Sequence, residues 1–552
     1  MTQAPAQPET LVDVVKSTAP RWRWALAEVG LLFLVLFLWG GGPPPETNEA
    51  HYLAKARHYW NPDWCRGDFF LESADAHLVF YWTLGWAAAI LPLPAAAWVG
   101  RVLMWGLQAW SWQRLSWAVA PRPLLSVLTG ALFLVLLDTC ELAGEWVADG
   151  VEAKSFAFVL VFLALEAIVR NRWNAAWLLL GGASAFHVLV GGWTVIAAGV
   201  AWLLSFQDRP RLLSMLPALM GGLLLALPGL IPGVLLTRGL DPATVAQANE
   251  TYVYYRLSHH LLPSAFAGAK YAAHLSLLAV FGVLCFTTLQ CGAAEKGLRR
   301  IWGMAVGAVL IGLAGIGVFL ITQHDPAVAA RWLRFYFFRL SDAAVPLAAS
   351  LTVATLFMRM EIRRPRVATT LLVVAVLIAA AGVGERFVRR QRDFRPGADR
   401  QSLPSYAGDS QATYAVYDAW RRMGEWVREN TPPDARFLTP RAQQTFKWYA
   451  HRPEVVSWKD VPQDAAALVE WRRRFDDIYG PIGWRGLTAY SDAQLLKLAQ
   501  KYDVQYLVID RTRATRRPKF ERVYPQSSFE NLYYEVYRIP APSDAPSNAE
   551  AP

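Results

Sequence analysis

Apolar residues in this chain gather into long uncharged blocks instead of recurring at helical or strand period, and nothing else narrows the possible folds so far. A bilayer core demands roughly 20 consecutive apolar residues from each helical span. Candidate blocks lie at 24–39, 78–92, 95–118, 124–138, 153–169, 174–187, 191–206, 212–236, 271–290, 301–322, 335–358 and 367–384. With 54% hydrophobic and 18% charged residues, the chain reads as mainly α, a polytopic α-helical membrane protein of about 11–13 transmembrane helices. The first block, WALAEVGLLFLVLFLW, follows Arg21 and Arg23 and is not followed by a small-residue cleavage site, so it reads as a retained membrane helix.

The formal charge of +10 resembles a nucleic-acid signal until the cations are located. Many sit in short inter-block loops, QRLSWAVAPRP, RNRWN, QDRPRL, EKGLRR and RMEIRRPR, where they orient a membrane protein instead. No nucleic-acid partner is therefore expected. These loops become cytoplasmic, which makes 40–77, 138–154, the turn FHVLVGGW, 237–270, 323–332 and everything after 385 external. A cytoplasmic N-terminus and an external C-terminus need an odd number of crossings, so one block is not a simple span. The weakest is 78–92, short and ending in LPLP, and it is expected to be partly embedded, re-entrant or fused with its neighbour.

The expected domains are a cytoplasmic tail (1–20), a membrane domain (21–384) whose first external loop is 40–77, a polar linker (385–412), an extracytoplasmic α/β domain (413–541) and a disordered tail (542–552). Within 413–541, TYAVYDAWRRMGEWVRE has helical spacing, whereas RFLTP and VQYLVID read as buried strands and YYEVYRI as an alternating one. Four cysteines, Cys65, Cys140, Cys285 and Cys291, form no CxxC pair, so neither a zinc site nor a disulfide framework is indicated.

Chemistry-bearing residues cluster in the external loops. The first carries Glu46, Glu49, His51, His58, Asp63, Asp68, Glu72, Asp75 and His77 directly after a hydrocarbon block, with TNEAHYLAKARHYW reading as an amphipathic helix on the membrane surface. Carboxylates held at a membrane boundary are candidates for base chemistry. The spacing of His51 and His58, about 10 Å along a helix axis, argues against a shared metal. The second loop brings Glu152 and Lys154 to the mouth of a helix, where a lysine holds phosphate well. His187 is an ionisable group inside an apolar stretch, beside Gly191 and Gly192. Arg256, His259 and His260 lie in a tyrosine-rich loop suited to a polar or phosphorylated head group. Arg331, Arg334 and Arg339 oppose the positive-inside bias, so acids or a lipid phosphate must compensate them.

External carboxylates after the first membrane helix, acids again in the second external loop, arginines entering a late span and an external C-terminal domain together resemble the GT-C superfamily of membrane glycosyltransferases. MGEWVRENTPPDARFLTP and LAQKYDVQYLVID look like the soluble domains that follow many bacterial and archaeal members. The resemblance implies transfer of a sugar from a polyprenyl-phosphate donor to an acceptor on the extracytoplasmic side, with inversion, in a bacterial inner membrane. It implies polyprenyl-phosphate-linked sugar and membrane lipids as partners, no redox cofactor, and a divalent metal as optional. The family's first loop commonly reads Asp-Glu, a small residue and an aromatic pair. The matching positions are Asn48, Glu49, Ala50, His51 and Tyr52, and because Asn cannot act as a base the role passes to Glu49, with Glu46 behind it. Substrate would be held by His51, Asp68, Glu152, Lys154, His187, Arg256, His259, His260, Arg331, Arg334 and Arg339. The alternative is a non-catalytic protein on the same scaffold, acting in envelope assembly or presenting its external domain.

Overall fold

The computed structural model describes residues 21–527 and 529–540; the expected tails at 1–20 and 542–552 lie outside the described residues. The chain is a polytopic α-helical membrane protein with a small α/β domain at its C-terminal end. In chain order the membrane part comprises α1 (Arg21–Gly40), α2 (Glu49–Trp60), α3 (Leu78–Ile90), α4 (Leu93–Val119), α5 (Leu125–Thr139), α6 (Ala153–Val169), α7 (Trp173–Phe186), α8 (Val188–Leu204), α9 (Leu212–Leu235), α10 (Pro242–Glu250), α11 (Gly268–Gln290), α12 (Lys296–Thr322), α13 (Pro326–Leu333), α14 (Arg339–Arg363) and α15 (Pro365–Arg392). Six of these, α1, α9, α11, α12, α14 and α15, are long and apolar enough to cross a membrane by length and composition. By contrast α4 is long but carries Arg101, Gln108, Gln113 and Arg114, and its polar groups are spent inside the bundle. The segment α3 is short and interrupted by a π-helical turn at Tyr81–Gly85, and it stops in extended backbone at Leu91.

Without a hydrophobic drive between helices in lipid, small residues decide which backbones approach closely. In α12, Gly303 and Gly307 lie one turn apart and face Ala201 and Ala197 of α8. A Cβ on Gly307 would sit 2.7 Å from the Ala197 Cα, so either glycine can be enlarged only by parting the helices. Gly181 and Gly222 do the same for α7 and α9, where a Cβ on Gly181 would fall 2.1 Å from a carbonyl oxygen.

The expected surface helix in the first loop is instead part of the core. Both faces of α2 are covered, with Glu49, Tyr52, Leu53, Lys55, Ala56 and His58 all buried. Lys55 spends its ammonium on the carbonyls of Phe70, Leu71 and Ser73, closing the loop over the helix.

In the C-terminal domain, α16 (Ser410–Asn430), α17 (Phe446–Ala450), α18 (Ala465–Tyr479) and α19 (Asp492–Tyr502) pack on a sheet of β1 (Phe437–Leu438), β2 (Tyr506–Asp510), β3 (Glu521–Tyr524) and β4 (Tyr534–Arg538). The strand order is β1-β2-β4-β3, parallel between β1 and β2 and antiparallel elsewhere, with Leu507 opposite Tyr537. The strand β2 is buried along its whole length, which explains its continuous apolar sequence. One of this domain's two apolar clusters takes in Ala248 of α10, with Phe69, Tyr252 and Tyr255 packed on it. A buried ion cluster pins the same contact. Lys447 lies 3.3 Å from Asp68, 2.6 Å from Glu454 and 2.6 Å from Asp460, and Asp68 also accepts from the Glu454 amide at 3.1 Å.

Candidate functional site

Where the membrane bundle meets the α/β domain, a cavity of ≈ 670 Å³ opens between the first loop, the 145–154 loop, α8, α9, the segment 249–260, the start of α14 and the 459–468 segment. Its wall divides by chemistry. On one side Val188, Leu189, Trp193, Leu230, Gly233 and Val234 of α8 and α9 present apolar surface, and Val234 is exposed on the outside of the bundle. On the other side five cations, Lys154, Arg256, Arg334, Arg339 and Lys459, face two carboxylates, Glu145 and Glu152.

Glu145 is committed to Lys154, and Glu152 lies beside the same ammonium. The Lys154 ammonium lies 2.6 Å from Glu145 and 3.8 Å from Glu152, and 3.4 Å over the Trp146 ring. Glu152 also accepts from the Trp146 indole at 2.5 Å and from the Asn48 amide at 3.1 Å. Burial pushes the Glu152 carboxyl above its ordinary value, and the neighbouring Lys154 and the Asn48 hydrogen bond pull the other way. Asn48 is therefore a donor to a carboxylate. An aspartate there would set a second negative charge against Glu152.

The other four cations form no ion pair among the described residues. Arg334 donates to the Asn249 side chain at 2.6 Å, Arg256 to the Trp458 carbonyl at 2.9 Å, and Arg339 lies over the Tyr336 ring at 4.3 Å. The Nε of Arg339 is buried with no hydrogen-bond partner among the described residues. The Arg256 guanidinium is held below its usual value by burial. Burial, with Arg256 nearby, lowers the Lys459 ammonium to about 8. Leaving polar hydrogens unspent in a buried place is unfavourable, so this concentration of unneutralised cations is suited to a polyanionic ligand.

Imidazoles line the space between the two halves. His77 and His187 stack with ring centroids 5.5 Å apart, and the Tyr52 hydroxyl lies 3.2 Å from His77 Nε2. The Nδ1 of His51 is buried and has no partner among the described residues. His259 and His260 are 4.0 Å apart, and His260 Nδ1 meets the Ala143 carbonyl at 2.6 Å. Burial lowers His77 and His259 to about 4 and takes His51 and His260 below their ordinary value, so all four are neutral at pH 7. Among the described residues no three His, Cys, Asp or Glu side chains converge as metal ligands. The excess of positive charge also opposes a divalent cation in the cavity as it stands.

Nine of the residues singled out in the sequence meet here: His51, Glu152, Lys154, His187, Arg256, His259, His260, Arg334 and Arg339. Four do not. Glu49 is fully enclosed and grips Arg101 with both oxygens, at 2.8 and 2.6 Å, while accepting from the Val151 and Glu46 amides, so no lone pair is left to face the cavity. Glu46 is buried toward Arg390 and Arg400, at 3.5 and 3.6 Å. Asp68 belongs to the Lys447 cluster, and Arg331 is exposed on α13. Tyr52, His77, Glu145, Tyr252, Tyr336 and Lys459 also line the cavity, and none of them was assigned a substrate-holding or catalytic role from the sequence. His77 and Glu145 stood in loops already rich in charge, but nothing in SWKD distinguishes Lys459 from a surface lysine.

Residues 418–478 match a family described as a domain of unknown function (DUF6798). That stretch contains Lys447, Glu454, Lys459 and Asp460. No curated protein matches the sequence. Among solved structures, the chain is similar to the crystal structure of an Archaeoglobus fulgidus oligosaccharyltransferase tethered with an acceptor peptide containing the NVT sequon, at 13% identity and a TM-score of 0.42, over 88% of this chain and 69% of that one.

Proposed function

We propose that the protein transfers a glycosyl unit from a polyprenyl-phosphate donor to an acceptor on the extracytoplasmic side. The observation that carries this reading is the pairing, in one cavity, of four unneutralised cations with an apolar wall that reaches the lipid side of the bundle. A polyprenyl phosphate has the same two parts, a hydrocarbon chain and an anionic head.

In this reading the base is Glu152, not Glu49. Its raised proton affinity suits it to take a proton from an acceptor hydroxyl or amide as that atom attacks the anomeric carbon. The new bond forms at the anomeric carbon as the bond to the phosphate oxygen breaks, with inversion. The electron pair leaves on the polyprenyl phosphate, where Arg256, Arg334, Arg339 and Lys459 stabilise the charge. Asn48 and Trp146 fix the carboxylate's orientation.

The test is transfer by purified protein in nanodiscs from a set of polyprenyl-phosphate sugars. Glu152→Gln is expected to lower turnover by about 10²–10⁴-fold with unaltered thermal unfolding. Equal turnover in wild type and variant removes Glu152 from the chemistry, and absence of donor binding by the wild type favours a non-catalytic envelope protein.

A further inference from the structure

A second crevice lies in the α/β domain, at the C-terminal ends of the parallel strands β1 and β2, where diverging chains leave room for a ligand. It is shallow and open to solvent, with a void of only ≈ 30 Å³, between the 440–443 turn, the 482–487 loop and the Asp510–Arg513 segment, with Ser402 and Pro404 at its edge.

The loop GPIGWRG shapes it. Gly483 has φ +58, a conformation that L side chains rarely adopt, and the turn it makes presents Trp484 outward with 64% of its surface exposed. Guanidiniums flank that indole: Arg441 is 4.4 Å and Arg513 5.4 Å from the ring centroid. Both are tied to the loop backbone, Arg441 to the Gly483 carbonyl and Arg513 to the Trp484 carbonyl, each at 3.0 Å. Arg485 adds a third cation, and the single carboxylate lining the crevice, Asp510, lies 3.8 Å from Arg513.

An indole that stays 64% exposed with two preset guanidiniums stacked over it recognises a ligand that has both a flat apolar C–H face and anionic substituents. A sugar ring carrying a carboxylate or phosphate fits that description. We propose that this crevice is a binding site for an anionic saccharide, distinct from the cavity at the membrane boundary. It does not rest on the transferase reading. The two places are physically joined, since Trp458 lies between Arg441, at 5.7 Å, and the cavity's Arg256, at 5.0 Å.

The experiment is titration of the full chain in nanodiscs, by calorimetry and by tryptophan fluorescence, with oligogalacturonate, a phosphorylated oligosaccharide, neutral maltohexaose and inorganic phosphate. One or both acidic saccharides are expected to bind, and which one does identifies the anionic group. Maltohexaose and inorganic phosphate are expected to bind at least roughly tenfold more weakly. Trp484→Ala and Arg513→Ala should each weaken binding about tenfold. Trp484→Phe, which keeps an aromatic face, and Arg517→Ala, outside the crevice, should leave it within about twofold. Binding that is unchanged in Trp484→Ala, equal for maltohexaose, fully reproduced by inorganic phosphate, or absent for both acidic saccharides overturns the proposal. Unfolding curves that superimpose for Trp484→Ala and Trp484→Phe tie the loss to the ring and not to the fold.

Discussion

Two charged regions meet at neighbouring residues of the first loop, and they spend their charges in opposite ways. Around Glu49 every acceptor is matched: Arg101 takes both oxygens, and two backbone amides supply the remaining donors. Around Asn48 the loop turns into the cavity, where Arg256, Arg334, Arg339 and Lys459 form no ion pair among the described residues. A closed account identifies groups that hold the fold, and an open one identifies groups that wait for a ligand. Density of acidic residues alone does not separate the two.

The comparison breaks first at the matched pair. Removing one member of a buried, hydrogen-bonded ion pair strands the other, and the loss is about 3–5 kcal/mol. Arg101→Met and Glu49→Gln are each expected to lower the thermal midpoint sharply in detergent or nanodiscs. Arg339→Gln, which removes an already unpaired charge, should leave the midpoint nearly in place. If Arg339→Gln destabilises as much as Arg101→Met, the contrast between fold-holding and ligand-holding charges is wrong.

Next in size is the affinity of the open region for its head group. A charge-assisted hydrogen bond is worth about 1.5–3 kcal/mol, so Arg339→Gln should weaken binding of a short-chain polyprenyl phosphate roughly 10- to 100-fold. Glu49→Gln, assayed below its unfolding midpoint, should bind like wild type. Equal losses in the two variants would move the anion site away from the cavity.

The bundle and the cationic side of this contrast were legible in the sequence, and the matched side, where Glu49 was read as a base, was not, for a physical cause. Apolar blocks announced the bundle because lipid leaves few alternatives. Strand β2 showed itself as VQYLVID because a strand buried on both sides needs a continuous apolar run. Arg334 and Arg339 were conspicuous because arginines in a loop read as external stand against the positive-inside bias. What pattern could not supply was pairing across long separations. Arg101 lies inside an apolar helix, 52 positions from Glu49, and it decides that the most conspicuous carboxylate is structural. Lys459 reaches the cavity only because the α/β domain docks there, a contact made by Lys447 with Asp68 and by apolar residues of both parts.

Smaller again is the effect of pH on the open region. Lys459 titrates at about 8, so its charge is present at pH 7 and lost as pH rises through that value. Affinity for polyprenyl phosphate should therefore fall a few-fold between about pH 7 and 9. Lys459→Arg, whose charge persists across that window, should flatten the curve. An unchanged slope in the arginine variant would assign the pH dependence to another group.

The smallest expected effect concerns the docking cluster, which stands between the two regimes. Asp68, Glu454 and Asp460 share one ammonium, so the negative charge around Lys447 is in excess if all three ionise. Burial, reinforced by Asp460 and Asp68, raises Glu454 to about 7 against the attraction of Lys447. For a carboxyl whose folded value exceeds its unfolded one, the fold binds the proton more tightly than the unfolded chain does. Its stabilising contribution is complete below the unfolded value and is lost as pH climbs through about 7. The docked domain should therefore loosen as pH rises from about 4.5 to about 7, seen as a fall of one or two degrees in the midpoint and as faster amide exchange in residues 447–460. Glu454→Gln cannot ionise, so it should keep the same midpoint across that window while sacrificing the charged contact to Lys447. A wild-type midpoint that rises over the same interval would mean that the three acids are already neutralised by groups other than Lys447, and the cluster would then belong with Glu49 and Arg101 among the matched charges.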